Sequence, residues 1–158
     1  MAGLWLIWSQ YASLAGLSWG YGSTDPRVAV PSTPDYDVTT LPWQIVHPRL
    51  FNVGQGRLTL ATSSEPYAYE AFATIATNGA NTARIIFDAE VERGAVSIGL
   101  LQAGNWISVN SSENTGAFSA INSARLGYRR SLTVMIANKN PAGESRVTIT
   151  SLRLYLRK

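Results

Sequence analysis

The chain has 158 residues, 46% hydrophobic and 15% charged, with 13 Lys plus Arg against 10 Asp plus Glu, one histidine and no cysteine. Such a length holds one ordinary domain with room for an appendage, and not two full domains. Without cysteine there is no disulfide scaffold, thiolate zinc site, iron-sulfur cluster or cysteine nucleophile. His47, set just before Pro48, cannot by itself build a site of several imidazoles, and any Ser-His-Asp triad would have to use it.

No Asp, Glu, Lys or Arg precedes Asp25. As a helix, residues 2–24 would reach ~34 Å at ~1.5 Å per residue, the thickness of a bilayer's hydrocarbon core. The expectation is a single membrane-spanning or membrane-inserted helix over residues 1–24. Ser9, Gln10, Ser13 and Ser18 lower its hydropathy, while Trp5, Trp8, Tyr11, Trp19 and Tyr21 are aromatics that favour membrane interfaces. A signal peptide is the rival reading. It lacks a basic n-region, and Trp19 and Tyr21 stand where small residues should mark cleavage. A buried soluble helix is the third. At helical spacing Ser9, Ser13, Gly16 and Gly20 form one stripe of small residues, which lets another membrane helix approach closely. That stripe points to a membrane-protein partner, with chance as its alternative.

Residues 25–42 read as a Pro-rich linker stiffened toward extended conformations. Within it, Asp35-Tyr36-Asp37 has the DxD form that many glycosyltransferases use to hold a metal-bound sugar nucleotide. A transferase fold needs alternating strands and helices over more residues than are present, and Asp is common in proline-rich turns.

After Pro42 the pattern is strand after strand. Candidates are 43–47, 57–62, 67–76, 82–92, 95–101, 106–110, 131–138 and 146–157. The fold class expected is all-β, an antiparallel β-sandwich of jelly-roll type over residues 43–158. Ile85, Phe87, Ala89 and Val91 alternate with Arg84, Ile86, Asp88, Glu90 and Glu92, and Leu132, Val134 and Ile136 alternate with Thr133 and Met135. Turns fall at Asn78-Gly79, Arg93-Gly94, Ala103-Gly104-Asn105 and Asn140-Pro141-Ala142-Gly143. In the final strand Val147 and Ile149 are apolar at odd positions, Leu152, Leu154 and Leu156 at even ones. The inward face therefore switches between Thr150 and Ser151, and one extra residue, a β-bulge, accounts for it. Phe87, Val91, Ile98, Leu100, Leu132, Val134, Ile136, Leu152, Leu154 and Leu156 are the expected core.

The switch exposes Arg153, Tyr155 and Arg157 together on the outer face. Residues 125–158 carry eight basic side chains and only Glu144 as an acid, a patch that could attract phosphate, nucleic acid or anionic lipid. Nucleic acid is set aside because the bases are spread along a strand without interleaved aromatics. Internal pairing of Arg153 and Arg157 with the stripe Asp88, Glu90 and Glu92 is the simpler expectation. Those acids lie on one strand's solvent face, which lacks the cleft that a catalytic carboxylate pair requires. The loop-like stretch 110–122 holds only Glu113 and makes a poor calcium loop. No metal ligands, cofactor or catalytic residues are assigned.

Tyr67 and Tyr69 share one strand face, and Trp106 follows the Gly104-Asn105 turn. Aromatic faces stack on the C–H faces of sugars, so these three are the candidate ligand-binding residues. The alternative is that they cover the ends of the core.

The runs ArgIleIlePheAspAlaGluVal (84–91), GlyAlaValSerIleGlyLeuLeu (94–101), Trp106-Ile107, LeuThrValMetIleAlaAsn (132–138) and SerArgValThrIle (145–149) make residues 43–158 resemble a known group. It is the jelly-roll, carbohydrate-binding-module-like domains that accompany bacterial cell-surface glycosylation proteins. The resemblance carries no catalytic signature. It implies a non-catalytic accessory module on the exoplasmic side, after the last membrane helix of a larger transferase or beside one. Residues 1–24 supply a single helix, so the multi-helix catalytic part is missing from this chain. Two functions stand: a membrane-tethered module that binds glycan, and a structural subunit of a membrane complex whose sandwich caps the exoplasmic face.

Overall fold

Period-two alternation governs the chain after Pro42, and the computed structural model, which describes residues 33–158, resolves ten strands there and one before it. The expected helix over 1–24 and its stripe Ser9, Ser13, Gly16 and Gly20 lie outside the described residues. Among the described residues no helix is long and apolar enough to cross a membrane. In chain order the strands are β1 (Tyr36–Asp37), β2 (Trp43–Ile45), β3 (Leu50–Gly54), β4 (Arg57–Ala61), β5 (Tyr69–Ala76) and β6 (Thr82–Arg93). They continue with β7 (Val96–Gln102), β8 (Asn105–Ser111), β9 (Gly116–Arg125), β10 (Ser131–Asn138) and β11 (Arg146–Arg157).

These strands form an all-β antiparallel sandwich of two sheets. Sheet A has the order β3-β4-β11-β6-β9, with β1 added to β11. Sheet B has the order β2-β5-β10-β7-β8. Alternating residues of both sheets meet in one core. Leu58, Leu60, Ile85, Phe87, Ile98, Leu100, Leu132, Val134, Ile136, Ile149, Leu152 and Leu154 are fully enclosed there. Leu156, expected inside, is half-buried because it stands near the strand's end. One lateral edge is closed by Trp43 of β2 against Phe51 of β3, ring centroids 6.1 Å apart, with Trp43 Nε1 donating to Val38 O at 2.8 Å. At the other edge Asn110 Nδ2 of β8 donates to Asn122 Oδ1 of β9.

The bulge expected in the last strand is present. Ile149 pairs with Ala89 and Ser151 with Asp88, leaving Thr150 as the extra residue, its hydroxyl donating to Asp88 O at 3.1 Å. The parity switch follows, and Leu152 and Leu154 enter the core.

Four sequence expectations need correction. First, the sandwich starts inside the segment read as linker: β1 pairs with β11, and Val38 and Leu41 are core residues. The carboxylates of the DxD run do structural work there. Asp35 Oδ2 accepts from Leu156 N at 2.7 Å, and Asp37 Oδ1 caps the next turn by accepting from Thr39 N at 2.8 Å and Thr40 N at 3.0 Å. Second, most of the stretch 110–122 is strand, since β9 pairs with β6 along its whole length. Third, Arg153 and Arg157 lie opposite Ile86 and Thr82, because the antiparallel register carries the acidic half of β6 toward the start of β11. Arg146 meets Glu92 there instead, at 3.7 Å. Fourth, Tyr155 occupies the outer face but is buried opposite Arg84, itself enclosed, with Nε donating to Ser123 Oγ at 3.4 Å. Parity fixes the face a residue occupies, whereas its cross-strand neighbours fix how much water it sees. Burial pulls the Arg84 guanidinium down to about 10, and Tyr155 pulls the other way.

Candidate functional site

The outer face of sheet B gathers two of the three aromatics singled out in the sequence, and it does so through two bulges. In β5, Ala71, Ala73 and Ile75 point into the core. Strict alternation would send Tyr69 there as well. Instead Ala71 pairs with Ile136 and Tyr69 with Ala137, so Glu70 is an extra residue and Tyr69 turns outward, 41% exposed. In β8, Ser108 pairs with Leu100 and Trp106 with Leu101, so Ile107 is the extra residue and packs against the core. Trp106 turns onto the same outer face as Tyr69. Their ring centroids are 5.9 Å apart at an interplanar angle of 80°, an edge-to-face pair, although β10 and β7 separate their strands.

Gly99 lets β8 curl far enough for this meeting. It lies between the inward residues Ile98 and Leu100, so a Cβ there would point outward. Such a Cβ would stand 2.2 Å from Ser108 O and 2.7 Å from Val109 Cα. The backbone of β8 fills the place of the missing side chain. Glycine inside a strand often marks this sort of close approach, and that signal was visible in the sequence.

Tyr67 stands apart. Its φ of 61° lies in the left-handed region, it precedes β5 rather than belonging to it, and it is 66% exposed. It therefore does not share a strand face with Tyr69. The loop that carries it is held from behind by Asn138, whose Nδ2 donates to Ser63 O at 3.2 Å, Glu65 O at 3.0 Å and Gly143 O at 2.9 Å. Glu70, pushed inward by its bulge, accepts from Ser63 N at 3.1 Å and Ser63 Oγ at 2.7 Å.

The rest of the face carries apolar side chains, Phe72, Leu101, Val109 and Met135, together with hydroxyls. Thr74 pairs with Thr133 at 2.9 Å, and Ser97 with Ser111 at 2.7 Å. In the five strands of sheet B, Glu70 is the one Asp, Glu, His, Lys or Arg, and Ser63 engages it. The face thus offers ring surfaces and neutral hydrogen-bonding groups, and no side chain placed for proton transfer. Among the described residues no three His, Cys, Asp or Glu side chains converge in a way that could hold a metal.

No family model matches the sequence, and no curated protein matches it. Solved structures do resemble the fold. One described as "CBM4 structure and function" superposes with a TM-score of 0.57 at 10% identity, over 79% of this chain and 97% of that one. The likeness is one of fold. A CBM61 bound to β-1,4-galactotriose gives 0.49 at 12% identity, covering 73% of this chain and 89% of that one. CsCBM6-3 from Clostridium stercorarium with cellobiose gives 0.45 at 8%, covering 82% and 99%. These neighbours are carbohydrate-binding modules with β-sandwich folds.

Proposed function

We propose that the sandwich is a non-catalytic glycan-binding module that holds sugar rings against Tyr69 and Trp106 on the outer face of sheet B. The observation that carries the reading is the edge-to-face pair itself, delivered by two separate bulges to a face that also bears hydroxyl pairs. Such rings stack on sugar C–H faces while neighbouring hydroxyls read the sugar hydroxyls. The one acid on the face's strands, Glu70, is engaged by Ser63, which fits binding without turnover. We further propose that residues 1–24 anchor the chain in the membrane as a single pass. The sandwich then lies on the exoplasmic side of a bacterial membrane, beside a glycosyltransferase that it assists. The uncharged run before Asp25 supports the anchor.

Calorimetry of the full chain in detergent against bacterial polysaccharides tests the site. Trp106→Ala should abolish binding and shift stability by about 1 kcal/mol, the order of an edge-to-face pair, because Trp106 is not among the core residues. A loss of about 3 to 5 kcal/mol would make Trp106 a core ring and remove it from the site. Carbonate washing of membranes tests the anchor separately. Retention in the pellet is expected, and quantitative release would overturn the anchor while leaving the glycan site untouched.

A further inference from the structure

The two ends of the sandwich differ in electrostatic character. At one end the turn 77–81, the turn 102–105, the segment 125–131 and residues 157–158 come together. Thr77 N donates to Arg130 O, Leu126 N to Asn81 O, Asn81 N to Arg157 O, and Gly127 N to Gln102 Oε1. These segments hold Arg125, Arg129, Arg130, Arg157 and Lys158, and not one Asp or Glu. At the other end cations meet acids. Arg49 lies 3.1 Å from Glu144, Lys139 3.0 Å from Glu113, and Arg146 3.7 Å from Glu92.

Two further observations mark the basic end. Tyr128 is fully exposed beside Arg129 and Arg130, on a segment pinned by backbone hydrogen bonds on both sides. An anchored loop that presents a whole tyrosine ring to water forgoes the burial such a ring ordinarily finds, and tyrosine favours the headgroup region of bilayers. The first described strand, β1, also pairs near this end. Asp35 N donates to Leu154 O at 2.9 Å and Asp35 Oδ2 accepts from Leu156 N, the residue directly before Arg157.

We infer that the basic end, with Tyr128 at its tip and Arg129, Arg130 and Lys158 around it, docks on the phosphate-bearing surface of an anionic phospholipid bilayer. The charge argument stands alone, while the orientation rests on the membrane anchor proposed above. Docked this way, the outer face of sheet B stands beside the membrane plane, and the opposite end, where Glu113 and Glu144 pair with Lys139 and Arg49, points away from it. A bilayer of anionic headgroups attracts five clustered cations and gains no comparable attraction from the charge-balanced opposite end, so the charge distribution both binds and orients.

The test uses the full chain with vesicles of phosphatidylcholine alone and of phosphatidylcholine with 30 mole per cent phosphatidylglycerol. Neutral vesicles report the N-terminal segment; the gain on anionic vesicles reports the basic end. The variant Arg129→Gln, Arg130→Gln, Lys158→Gln should keep neutral-vesicle binding and lose about a hundredfold on the anionic ones, from about one kcal/mol per cation. Wild-type gain should vanish in 0.5 M salt. Because the chain has no cysteine, one fluorophore at Tyr128→Cys or at Asn114→Cys reports which end docks. A blue shift at 128 and none at 114 is expected. No anionic gain in the wild type, an unchanged gain in the folded triple variant, or a shift at 114 alone would overturn the proposal. So would capture of the label at 128 by soluble polygalacturonate in preference to vesicles, which would make an acidic glycan the ligand of this end.

Discussion

At Gly99 a methyl group would collide with the backbone of β8, which cannot yield as a flexible side-chain tip can. Gly99→Ala should therefore push β8 outward and cost about 1 to 3 kcal/mol, as overpacking does elsewhere. Trp106 should move with the strand, weakening its near-ultraviolet dichroism and the glycan binding together. An alanine variant within about 0.5 kcal/mol of wild type in urea unfolding, with the tryptophan signal unchanged, would show that β8 does not need the space. Tyr69 and Trp106 could be picked out from the sequence as aromatics near strand ends, but their meeting could not. Each is turned outward by one inserted residue, and Glu70 looks in the sequence like an ordinary polar residue of the outer face. Ile107 left a fainter trace, two adjacent bulky apolar side chains in one strand, which breaks alternation without saying which of them turns out. Tyr67 failed as a strand partner because its backbone is left-handed, a conformation that a tyrosine does not advertise.

Among the elements, legibility tracks the strength of the period. β10 and β11 run over the residues expected of them, since three or more aliphatic side chains recur on one face of each. The bulge at Thr150 was readable for the same reason: five aliphatic residues change parity across it. β9 was missed because Phe118 and Ile121 are its only large apolar side chains, and β3 because five residues after His47-Pro48 show too little alternation. Leu154, fully enclosed in β11, tests the parity argument. Leu154→Ala should cost about 2 to 5 kcal/mol through lost transfer energy and the remaining cavity, and less than about 1 kcal/mol would mean the face is misassigned. The turn after β1 makes a pH prediction. The Thr39 hydroxyl, with the Thr39 and Thr40 amides, holds the Asp37 carboxyl below its ordinary 3.8, against a smaller opposing push from burial. A carboxyl whose pKa is lowered by folding adds stability that is complete above the unfolded value and is lost as pH falls through the folded one. The difference in melting temperature between wild type and Asp37→Ala should be constant from pH 5 to 8 and shrink below about pH 3.8. A difference that stays constant to pH 2.5 would mean the cap acts through packing alone.

For the molecule as a whole, the order of the strands in space is what the sequence conceals most. Pairing partners are chosen by geometry across the core, and nothing local in Arg146–Arg157 says that this final strand sits between β4 and β6 while also receiving β1. Sheet A therefore cannot close until β11 arrives: without it β3 and β4 are severed from β6 and β9, and Leu58, Leu60, Ile85 and Phe87 lose the partners that cover them. Sheet B alone would expose its inner row of Ile98, Leu100, Leu132, Val134 and Ile136 to water, an apolar surface that folded domains do not leave open. A chain ending at Glu144 should accordingly show no cooperative unfolding transition and should bind a hydrophobic dye strongly, as collapsed states without fixed packing do. Refolding of the full chain should be slow for its size, in the millisecond-to-second range of all-β topologies, since its decisive contacts join residues far apart in sequence. Removing Lys158 alone should change neither property, because it lies beyond β11 and is exposed. A cooperative transition in the chain ending at Glu144, with native-like heat capacity change, would show that sheet A closes without its central strand and that the order of assembly argued from the topology is wrong.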